Sequence, residues 1–575
     1  MRYAEPGEAG FDVAKLEAAR KTWESLPSSA FLVVADGAVV AAWGEPDRRF
    51  MCHSVRKSLL SALFGIYRDR GKIDLDKTLA DLGIDDWPDP LLPTERQART
   101  IDLLRARSGV FHPAAYAGRT DSRPRGSQGP GRFFAYNNWD FNTLAAILEQ
   151  ETGARVFEAF GENFARPLGM QDFRLSDGYY HFERDKSRFP AYPFRMSARD
   201  MARFGLLFAR DGRWASQQVL SRDWVRRSAF RESNDDDTWG YGFMWWVARE
   251  PRFARHGMFA ALGVGNQMIA VLPDVDMVIV NRADTYHGQG TPTKGLLDLV
   301  EQVTAARTGQ ASASPRLQPL EEPPPDPWRT TASAERLSRF AGRFPVPPPP
   351  LGLPAESTVA VTARDGHLVG VWEHGGTFTL HLQPDGTLRQ EDSRDRLFAV
   401  KADDGTLAGL ADVDEIARAA AGAAGEGRDT RAREVPALAG DDGSLPILSA
   451  HAIVALLGGD PEGAKRRGRE AAARLSAPSV ETAINRAGYR FLQGEKAELA
   501  RRVFELNTEL FPGAFNTWDS LGEANVKLGR LEDAARSYER SLAQNPENRS
   551  ARAALEKLRT TPPTSPKADP RPVAP

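Results

Sequence analysis

The stretch MCHSVRKSLLSALFG, residues 51–65, combines a serine and a lysine with the apolar spacing of a helix. Its apolar residues fall largely on one face, which predicts a helix that begins near His53 and Ser54. Residues three positions apart share a helix face, so Ser-x-x-Lys places the Lys57 amine beside the Ser54 hydroxyl. A serine hydroxyl is a weak nucleophile unless a base removes its proton. The spacing therefore favours a nucleophile and its base.

The same residues also fit a structural hypothesis. Ser54 could cap the helix while Lys57 reaches solvent. For Lys57 to act as a base, burial or a neighbouring cation must keep its amine neutral, and the apolar residues after it could supply that burial. The Ser-x-x-Lys spacing alone leaves both hypotheses open.

A second candidate segment is PGRFFAYNNWDFNTLAAILEQETG, residues 130–153. It places Tyr136 and Asn138 in an aromatic loop just before an amphipathic helix. A tyrosine hydroxyl near Lys57 could relay protons to a leaving group, and the Asn138 amide could bind a substrate carbonyl and the lysine. The alternative is a core tyrosine followed by a helix-capping asparagine.

A third candidate segment is ARHGMFAALGVGNQMIAVLP, residues 254–273, which reads as a glycine-rich strand edge. Glycine permits close backbone approach to a substrate. The N–H groups of this strand, together with the N–H of Ser54, could form an oxyanion hole.

Taken in this order, the three segments resemble the serine β-lactamase and penicillin-binding-protein superfamily. Tyr-x-Asn points to its class C-like branch, which includes esterases, D-amino-acid peptidases and 6-aminohexanoate-oligomer hydrolases. The similarity covers roughly residues 10–305 and extends to segments such as TIDLLRARSGVFH, FARPLGMQDF, MSARDMARFGLLFARDGRW and WGYGFMWWV. The resemblance implies Ser54 as nucleophile, Lys57 as base, Tyr136 as proton relay and Asn138 as a substrate-binding residue.

The chain departs from the family pattern at the third motif, where a lysine or histidine, a small residue and a glycine are usual. Here the motif is either His256-Gly257, which lacks the middle residue, or the run that ends in Gly263, which lacks the cation. We favour Gly263, and that choice weakens the antibiotic-hydrolysing hypothesis. Trp245 and its aromatic neighbours could wall the cleft or simply pack a strand.

Composition narrows the function classes. The 575 residues carry 75 basic and 77 acidic side chains, a net charge of −2, which gives no reason to expect nucleic acid as a partner. No membrane span, metal site or cofactor is expected, because apolar runs are short and the histidines lack ligand spacing. Cys52, the single cysteine, is expected to be a buried packing residue. The charged N-terminus suggests a cytoplasmic protein, or a periplasmic or secreted one if a leader has been removed.

The predicted architecture is α+β, with an antiparallel β-lactamase-like sheet flanked by helices and a helical subdomain. Short β-like runs then predict a small β domain, and a Pro-rich linker should precede it. The predicted divisions are a hydrolase domain at 1–305, a linker at 306–335, a small β domain at 336–415, an Ala/Gly-rich connector at 416–445, all-α repeats at 446–560 and a disordered tail at 561–575.

The C-terminal part contains a 34-residue period. Gly488 and Gly522, Ala500 and Ala534, Phe504 and Tyr538, and Pro512 and Pro546 are matched pairs. This pattern resembles tetratricopeptide repeats, which implies stacked helix pairs and a possible protein partner.

Three functional hypotheses follow. The first is a serine hydrolase that cleaves a small-molecule ester or amide through an acyl-enzyme on Ser54. The second is a true class C-like β-lactamase or a D-Ala-D-Ala carboxypeptidase, and the third is an acylable sensor that acts through its helical repeats. The sequence alone does not identify the natural substrate, the repeat partner or the oligomeric state.

Overall fold

The structure is a computed structural model of the chain. It describes residues 1–412, 452, 456 and 461–560, apart from gaps at 118–122, 231–232, 235–237, 288–289, 313, 321–325, 347–356, 374, 385–387, 395, 402–406, 475–476 and 494–496. The chain divides into two compact units, residues 1–327 with 371–378, and residues 328–370 with 379–575. The predicted connector at 416–445 and tail at 561–575 lie outside the described residues.

The first unit is built from short strands and from helices of one to four turns. Its strands are β1 Arg2–Ala4, β2 Ala30–Ala35, β3 Ala38–Gly44, β4 Phe50–Met51, β5 Arg195–Met196, β6 Arg213–Trp214, β7 Gln217–Gln218, β8 Ser233–Asn234, β9 Trp239–Tyr241, β10 Trp246–Ala248, β11 Phe259–Gly263, β12 Gln267–Leu272, β13 Met277–Arg282 and β14 Leu317–Pro319. Its α-helices are α1 Val13–Glu24, α2 Val55–Asp69, α3 Thr100–Leu104, α4 Asn138–Thr152, α5 Val156–Phe160, α6 Ala198–Ala209, α7 Arg222–Ser228, α8 Pro251–Ala254 and α9 Thr293–Ala306.

A ten-stranded sheet organises this unit, in the order β14-β1-β3-β2-β13-β12-β11-β10-β9-β8. The sheet is mixed, which corrects the expectation of an antiparallel one. β1 runs parallel to β3 through the pair Tyr3 and Val39, because the chain passes through α1 and β2 before it returns as β3. The other neighbouring strands pair antiparallel.

Two strand pairs of the sheet are joined by short turns whose residues signal them in the sequence. β2 and β3 form a hairpin whose turn residues, Asp36 and Gly37, have φ values of 50° and 83°. Two successive positive φ values are typical of the type I′ turn, which matches the twist of a hairpin. β12 and β13 pair antiparallel around a turn at Pro273–Val275.

Helices cover both faces of the sheet because its central strands are apolar on both sides. In β2, Phe31 and Val33 belong to the core under α1 and α9, whereas Leu32 and Val34 belong to the core that contains α2 and α6. This alternation follows from the two-residue period of a strand. α2 lies so deep that every residue from Val55 to Tyr67 is buried.

The predicted linker at 306–335 is partly wrong. Leu317–Pro319 forms β14, which pairs antiparallel with β1. Thr308 N donates to Gly10 O, and Ser312 N donates to Glu8 O. These backbone hydrogen bonds hold the first part of the segment against the N-terminus, so it extends the sheet.

A second sheet follows in the sequence. The helix α10, Ala334–Ser338, precedes it. The sheet has seven strands in sequence order, β15 Gly342–Val346, β16 Ser357–Arg364, β17 His367–Trp372, β18 Thr377–Leu382, β19 Leu388–Gln390, β20 Arg396–Lys401 and β21 Leu407–Asp412.

The C-terminal region is helical. Its described helices are Pro461–Arg474, Ala477–Gln493, Ala497–Leu510, Phe515–Lys527, Leu531–Gln544 and Arg549–Thr560. Gly488 packs against the ring of Phe504, and its matched residue Gly522 packs against the ring of Tyr538. The tetratricopeptide assignment stays a prediction. Across the described part of the chain, every helix is too short or too polar to cross a bilayer.

Candidate active site

Ser54 lies at the N-terminus of α2, where the chain turns from β4 into the buried helix. Its side chain makes no capping hydrogen bond. Ser54 Oγ instead lies 2.7 Å from Lys57 Nζ. The structure thus contradicts the hypothesis in which the serine only caps the helix, and it brings the predicted nucleophile and base into contact.

Lys57 is withdrawn from water. Its side chain is 2% exposed, which contradicts the solvent-reaching alternative. Nζ lies 2.5 Å from Tyr136 Oη and sits near the rings of Tyr136 and Phe141, at 4.6 and 5.0 Å from their centroids. Burial, and after it the charge of Arg56, hold the pKa of Lys57 well below its usual value. The site therefore favours a neutral amine, which can accept a proton.

Tyr136 lies in the loop that precedes α4. Its ring packs against Phe141, Tyr241 and Trp246, with centroids 5.0, 6.0 and 5.5 Å away. Burial raises the pKa of Tyr136 to about 12, and a hydrogen bond with Ser54 opposes that rise. The hydroxyl is therefore protonated near neutral pH and can both donate and accept a hydrogen bond.

Asn138, the first residue of α4, lies next to these groups but binds differently from the prediction. Its Nδ2 donates to the backbone carbonyl of Tyr116 over 2.5 Å. The helix cap is the preceding residue, Asn137, whose side chain accepts from Asp140 N. The two side-chain hydrogen bonds of Lys57 go to Ser54 and Tyr136, so the expected bond between Asn138 and Lys57 is not formed.

Gly263, rather than His256, lies against the nucleophile. A Cβ atom built on Gly263 would come within 2.5 Å of Cys52 O and 3.1 Å of Ser54 N. His256 precedes the other end of β11, where its carbonyl accepts from Asp274 N. The strand Phe259–Gly263 therefore separates the two candidates, and the structure brings Gly263 rather than His256 to Ser54.

Trp245 is a core residue, which corrects its predicted place in the cleft wall. It is 0% exposed and packs against Phe208 and Phe259, with ring centroids 4.6 and 5.2 Å away. The next residue, Trp246, points to the opposite side of its strand, is half-buried and contacts the Tyr136 ring. The strand alternation predicts opposite orientations for the two tryptophans but not which one is buried.

Sequence reasoning missed several residues that surround Ser54, among them its two neighbours His53 and Arg56. His53 Nε2 lies 2.8 Å from Thr285 Oγ1, and His53 Nδ1 lies 3.1 Å from Tyr116 Oη. Arg56 is fully buried, with its guanidinium over the rings of Tyr116 and Tyr192. Arg56 could have been noticed in the sequence, because it is a charged residue inside the apolar run of α2.

Cys52 is fully buried beside Arg282, whose Nη1 is 3.8 Å from the sulfur. Burial raises the pKa of the thiol, which agrees with the predicted packing role. Within the described ranges, no group of three or more His, Cys, Asp or Glu side chains could hold a metal ion.

Comparison with known proteins adds to this geometry. Residues 13–292 match the family model described as Beta-lactamase. The 6-aminohexanoate-dimer hydrolase of Paenarthrobacter ureafaciens is 26% identical over 323 residues, which are 49% of this chain and 80% of the relative. These two matches support a serine hydrolase, and the matched region is similar to the β-lactamase and penicillin-binding-protein superfamily.

Similar solved structures include the penicillin-binding protein from Bacillus halodurans, at 18% identity and a TM-score of 0.37. That match covers 50% of this chain and 98% of the other. The octameric penicillin-binding protein homologue from Pyrococcus abyssi has 17% identity and a TM-score of 0.40, over 68% of this chain and 97% of the other.

Proposed function

We propose that this serine hydrolase cleaves an amide or ester bond through a covalent acyl-enzyme on Ser54. One observation carries the proposal: the Lys57 amine lies within hydrogen-bonding distance of both the Ser54 and Tyr136 hydroxyls, in a setting that favours its neutral form. A base, a nucleophile and a proton relay in direct contact are what acyl transfer requires.

In the first half-reaction, Ser54 Oγ attacks the substrate carbonyl carbon and Lys57 takes the hydroxyl proton. The carbonyl oxygen becomes an oxyanion, and the N–H groups of Ser54 and of the β11 strand at Gly263 donate to it. Lys57 then passes a proton through Tyr136 to the leaving nitrogen or oxygen. The bond from carbon to that atom breaks, an amine or alcohol departs, and the acyl group remains as an ester on Ser54.

In the second half-reaction, water attacks the acyl carbon and gives one proton to Lys57, directly or through the Tyr136 hydroxyl. The bond from carbon to Ser54 Oγ breaks, and Oγ takes that proton back. The products are a carboxylic acid and the free enzyme, so one water molecule is consumed for each bond cleaved.

The electrostatics of α2 support this sequence of steps. Ser54 lies at the positive end of the helix dipole, which favours negative charge that develops nearby. The buried guanidinium of Arg56 adds positive charge to the same region and opposes protonation of Lys57. Both effects favour a neutral base and an anionic intermediate.

We favour an amide substrate because the relative from Paenarthrobacter ureafaciens, which is similar to this chain over 323 residues, is named for hydrolysis of the 6-aminohexanoate dimer. The glycine against Ser54 also leaves the third-motif position without a cation. Hydrolysis of β-lactams is the alternative that the family name keeps open.

The test uses the full-length protein and its Ser54→Ala variant with a p-nitrophenyl ester, the 6-aminohexanoate dimer and nitrocefin. We expect turnover of the ester and of an amide, lost in the variant, and an acyl adduct on Ser54 in the mass spectrum. Rapid turnover of nitrocefin alone would instead favour a β-lactamase. If none of the three probes is turned over and Ser54 is never acylated, the proposal is wrong.

We also infer that the C-terminal helices are tetratricopeptide-like repeats. The recurrence of a glycine–aromatic contact one period later supports this inference, because the period is that of a helix-turn-helix unit.

A further inference from the structure

His53, the residue before the nucleophile, has an unusual backbone conformation. Its φ angle is +49°, in the left-handed region that residues with a Cβ rarely adopt. Such a conformation costs free energy and persists only where surrounding contacts hold it. Because Ser54 follows directly, the conformation of His53 sets the direction in which Ser54 N–H and Oγ enter the site.

Contacts hold His53 at both ring nitrogens and at its carbonyl. Nε2 pairs with Thr285 Oγ1 over 2.8 Å, and Nδ1 pairs with Tyr116 Oη over 3.1 Å. The carbonyl accepts from Arg56 Nη1 over 3.2 Å. The His53 and Tyr116 rings also stack, with centroids 6.3 Å apart and 16° between their planes.

These partners are themselves fixed. Tyr116 also has a left-handed backbone, with φ of +58°. Its N–H donates to Glu183 Oε1 over 2.7 Å, and its carbonyl accepts from Asn138 Nδ2 over 2.5 Å. Thr285 lies just beyond the end of β13. The imidazole therefore joins the start of α2 to the segment that contacts the Tyr-x-Asn motif and to the residues that follow the central strand β13.

The imidazole suits a holding role better than a proton-transfer role. Burial, followed by the charges of Arg282 and Arg56, lowers the pKa of His53 to about 3. A neutral ring offers one donor and one acceptor, and hydroxyl partners can match either tautomer. Both nitrogens are thus engaged by Thr285 and Tyr116.

We propose that His53 is a positioning residue: held between Thr285 and Tyr116, it fixes the left-handed turn that sets Ser54 N–H beside Gly263 and Ser54 Oγ beside Lys57. This inference rests on the proposed role of Ser54 as nucleophile. A displacement of about 1 Å at a reacting atom can cost about 100-fold in rate, so loss of this turn has a large expected effect.

The test measures the rate at which a fluorophosphonate probe labels Ser54 in the full-length protein. We expect about 100-fold slower labelling in His53→Ala. The labelling rate should recover partly in His53→Gly, because glycine adopts the left-handed backbone but lacks the ring. It should recover most in His53→Asn, because asparagine also tolerates the left-handed region and keeps one hydrogen-bond donor and one acceptor. His256→Ala, a histidine at the far end of β11, is the matched control and should label at the wild-type rate.

Thr285→Val and Tyr116→Phe each remove one hydroxyl partner and keep the side-chain shape, so they carry the test if His53→Ala does not fold. With an ester substrate, all these variants should lower kcat per folded molecule and leave KM nearly unchanged. A loss of folded protein would lower the apparent kcat in the same way, so the melting temperature and circular dichroism of each variant are measured beside the kinetics. If His53→Ala, or both partner variants, label at the wild-type rate, the positioning role of His53 is wrong. That outcome leaves the proposed role of Ser54 as nucleophile intact. If Ser54 of the wild-type protein takes no label, the proposed function fails, and this inference fails with it.

Discussion

Ser54 Oγ and Lys57 Nζ lie 2.7 Å apart across one turn of α2, and Lys57 is 2% exposed. Burial of a lysine beside a hydroxyl costs stability unless the amine gives up its proton. The same burial makes the amine available to receive the serine proton. The burial of Lys57 therefore affects both the free energy of unfolding and the ability of the amine to act as a base.

Replacement of Lys57 should remove activity without unfolding the protein. Lys57→Met keeps the apolar stem but removes the base, and a loss of about 100- to 10,000-fold in kcat/KM is expected for a general base. Lys57→Arg should be equally inactive, because a guanidinium stays protonated. Ester hydrolysis and circular dichroism measure both effects. Activity retained in Lys57→Arg would exclude the neutral amine as the base.

The pH dependence of stability should report the buried amine. The pKa of Lys57 is lowered in the folded state, so the unfolded chain binds more protons between that pKa and the usual value of 10.5. The stability of the wild type should therefore rise with pH through this window, relative to Lys57→Met. Melting temperatures of both proteins at several values from about pH 7 to 10 provide the measurement. Parallel curves for the two proteins would contradict the depressed pKa.

Arg56 should influence the acidic limb of the pH–rate profile. Its positive charge lowers the pKa of Lys57, so Arg56→Met should raise that pKa. More of Lys57 is then protonated at a given pH, and the acidic limb of kcat/KM moves to higher pH. Arg56→Lys is the matched control, because it keeps a cation and should shift the limb less. An unchanged limb in Arg56→Met would show that desolvation alone sets the Lys57 pKa.

Gly263→Ala should damage catalysis because a Cβ at this position would meet Cys52 O at 2.5 Å and Ser54 N at 3.1 Å. Relief of that overlap displaces Ser54 or β11, and a displacement of about 1 Å predicts about a 100-fold loss in kcat/KM. Gly7→Ala is a suitable control, since its new Cβ would lie 3.6 Å from Val13.

The same assay separates the two third-motif candidates. His256→Ala should stay within about twofold of wild type, as expected for a surface change away from the site. A large loss in His256→Ala together with normal activity in Gly263→Ala would reverse the assignment of the third motif.

Local patterns in the sequence predicted much of this fold. The apolar spacing after Ser54 predicts α2, and Asp36-Gly37 between two apolar runs predicts the first hairpin. These signals work because helix and turn geometry depend on neighbouring residues. The parallel pairing of β1 and the strand at Leu317–Pro319 were missed, because each joins segments that are distant in the sequence.

The contacts in the candidate active site also divide into those that the sequence predicts and those that it does not. Ser54 and Lys57 are one helical turn apart, so their contact follows from their spacing. His53 contacts Tyr116 and Thr285 in distant parts of the sequence, and no spacing rule predicts those contacts. A glycine lies near each end of β11, so only the approach of α2 distinguishes Gly263 from Gly257.

Gly522→Ala should destabilise the C-terminal helices. A Cβ at Gly522 would come within 2.6 Å of the Tyr538 ring, which is 3% exposed and has little room to move. Such overpacking typically costs about 1–3 kcal/mol, against which alanine returns about 1 kcal/mol of helix propensity. Faster hydrogen exchange across residues 515–544 should report the net loss.

The corresponding change at Gly488, where a Cβ would overlap the Phe504 ring, should have the same effect one period earlier in the chain. Gly513→Ala is the control, because no atom lies within 4 Å of its new Cβ. A true repeat places Gly488 and Gly522 in equivalent environments, so both variants should exchange faster than the control. Wild-type exchange at one position and a large increase at the other would show that the two environments are not equivalent, and the repeat assignment would lose its structural support.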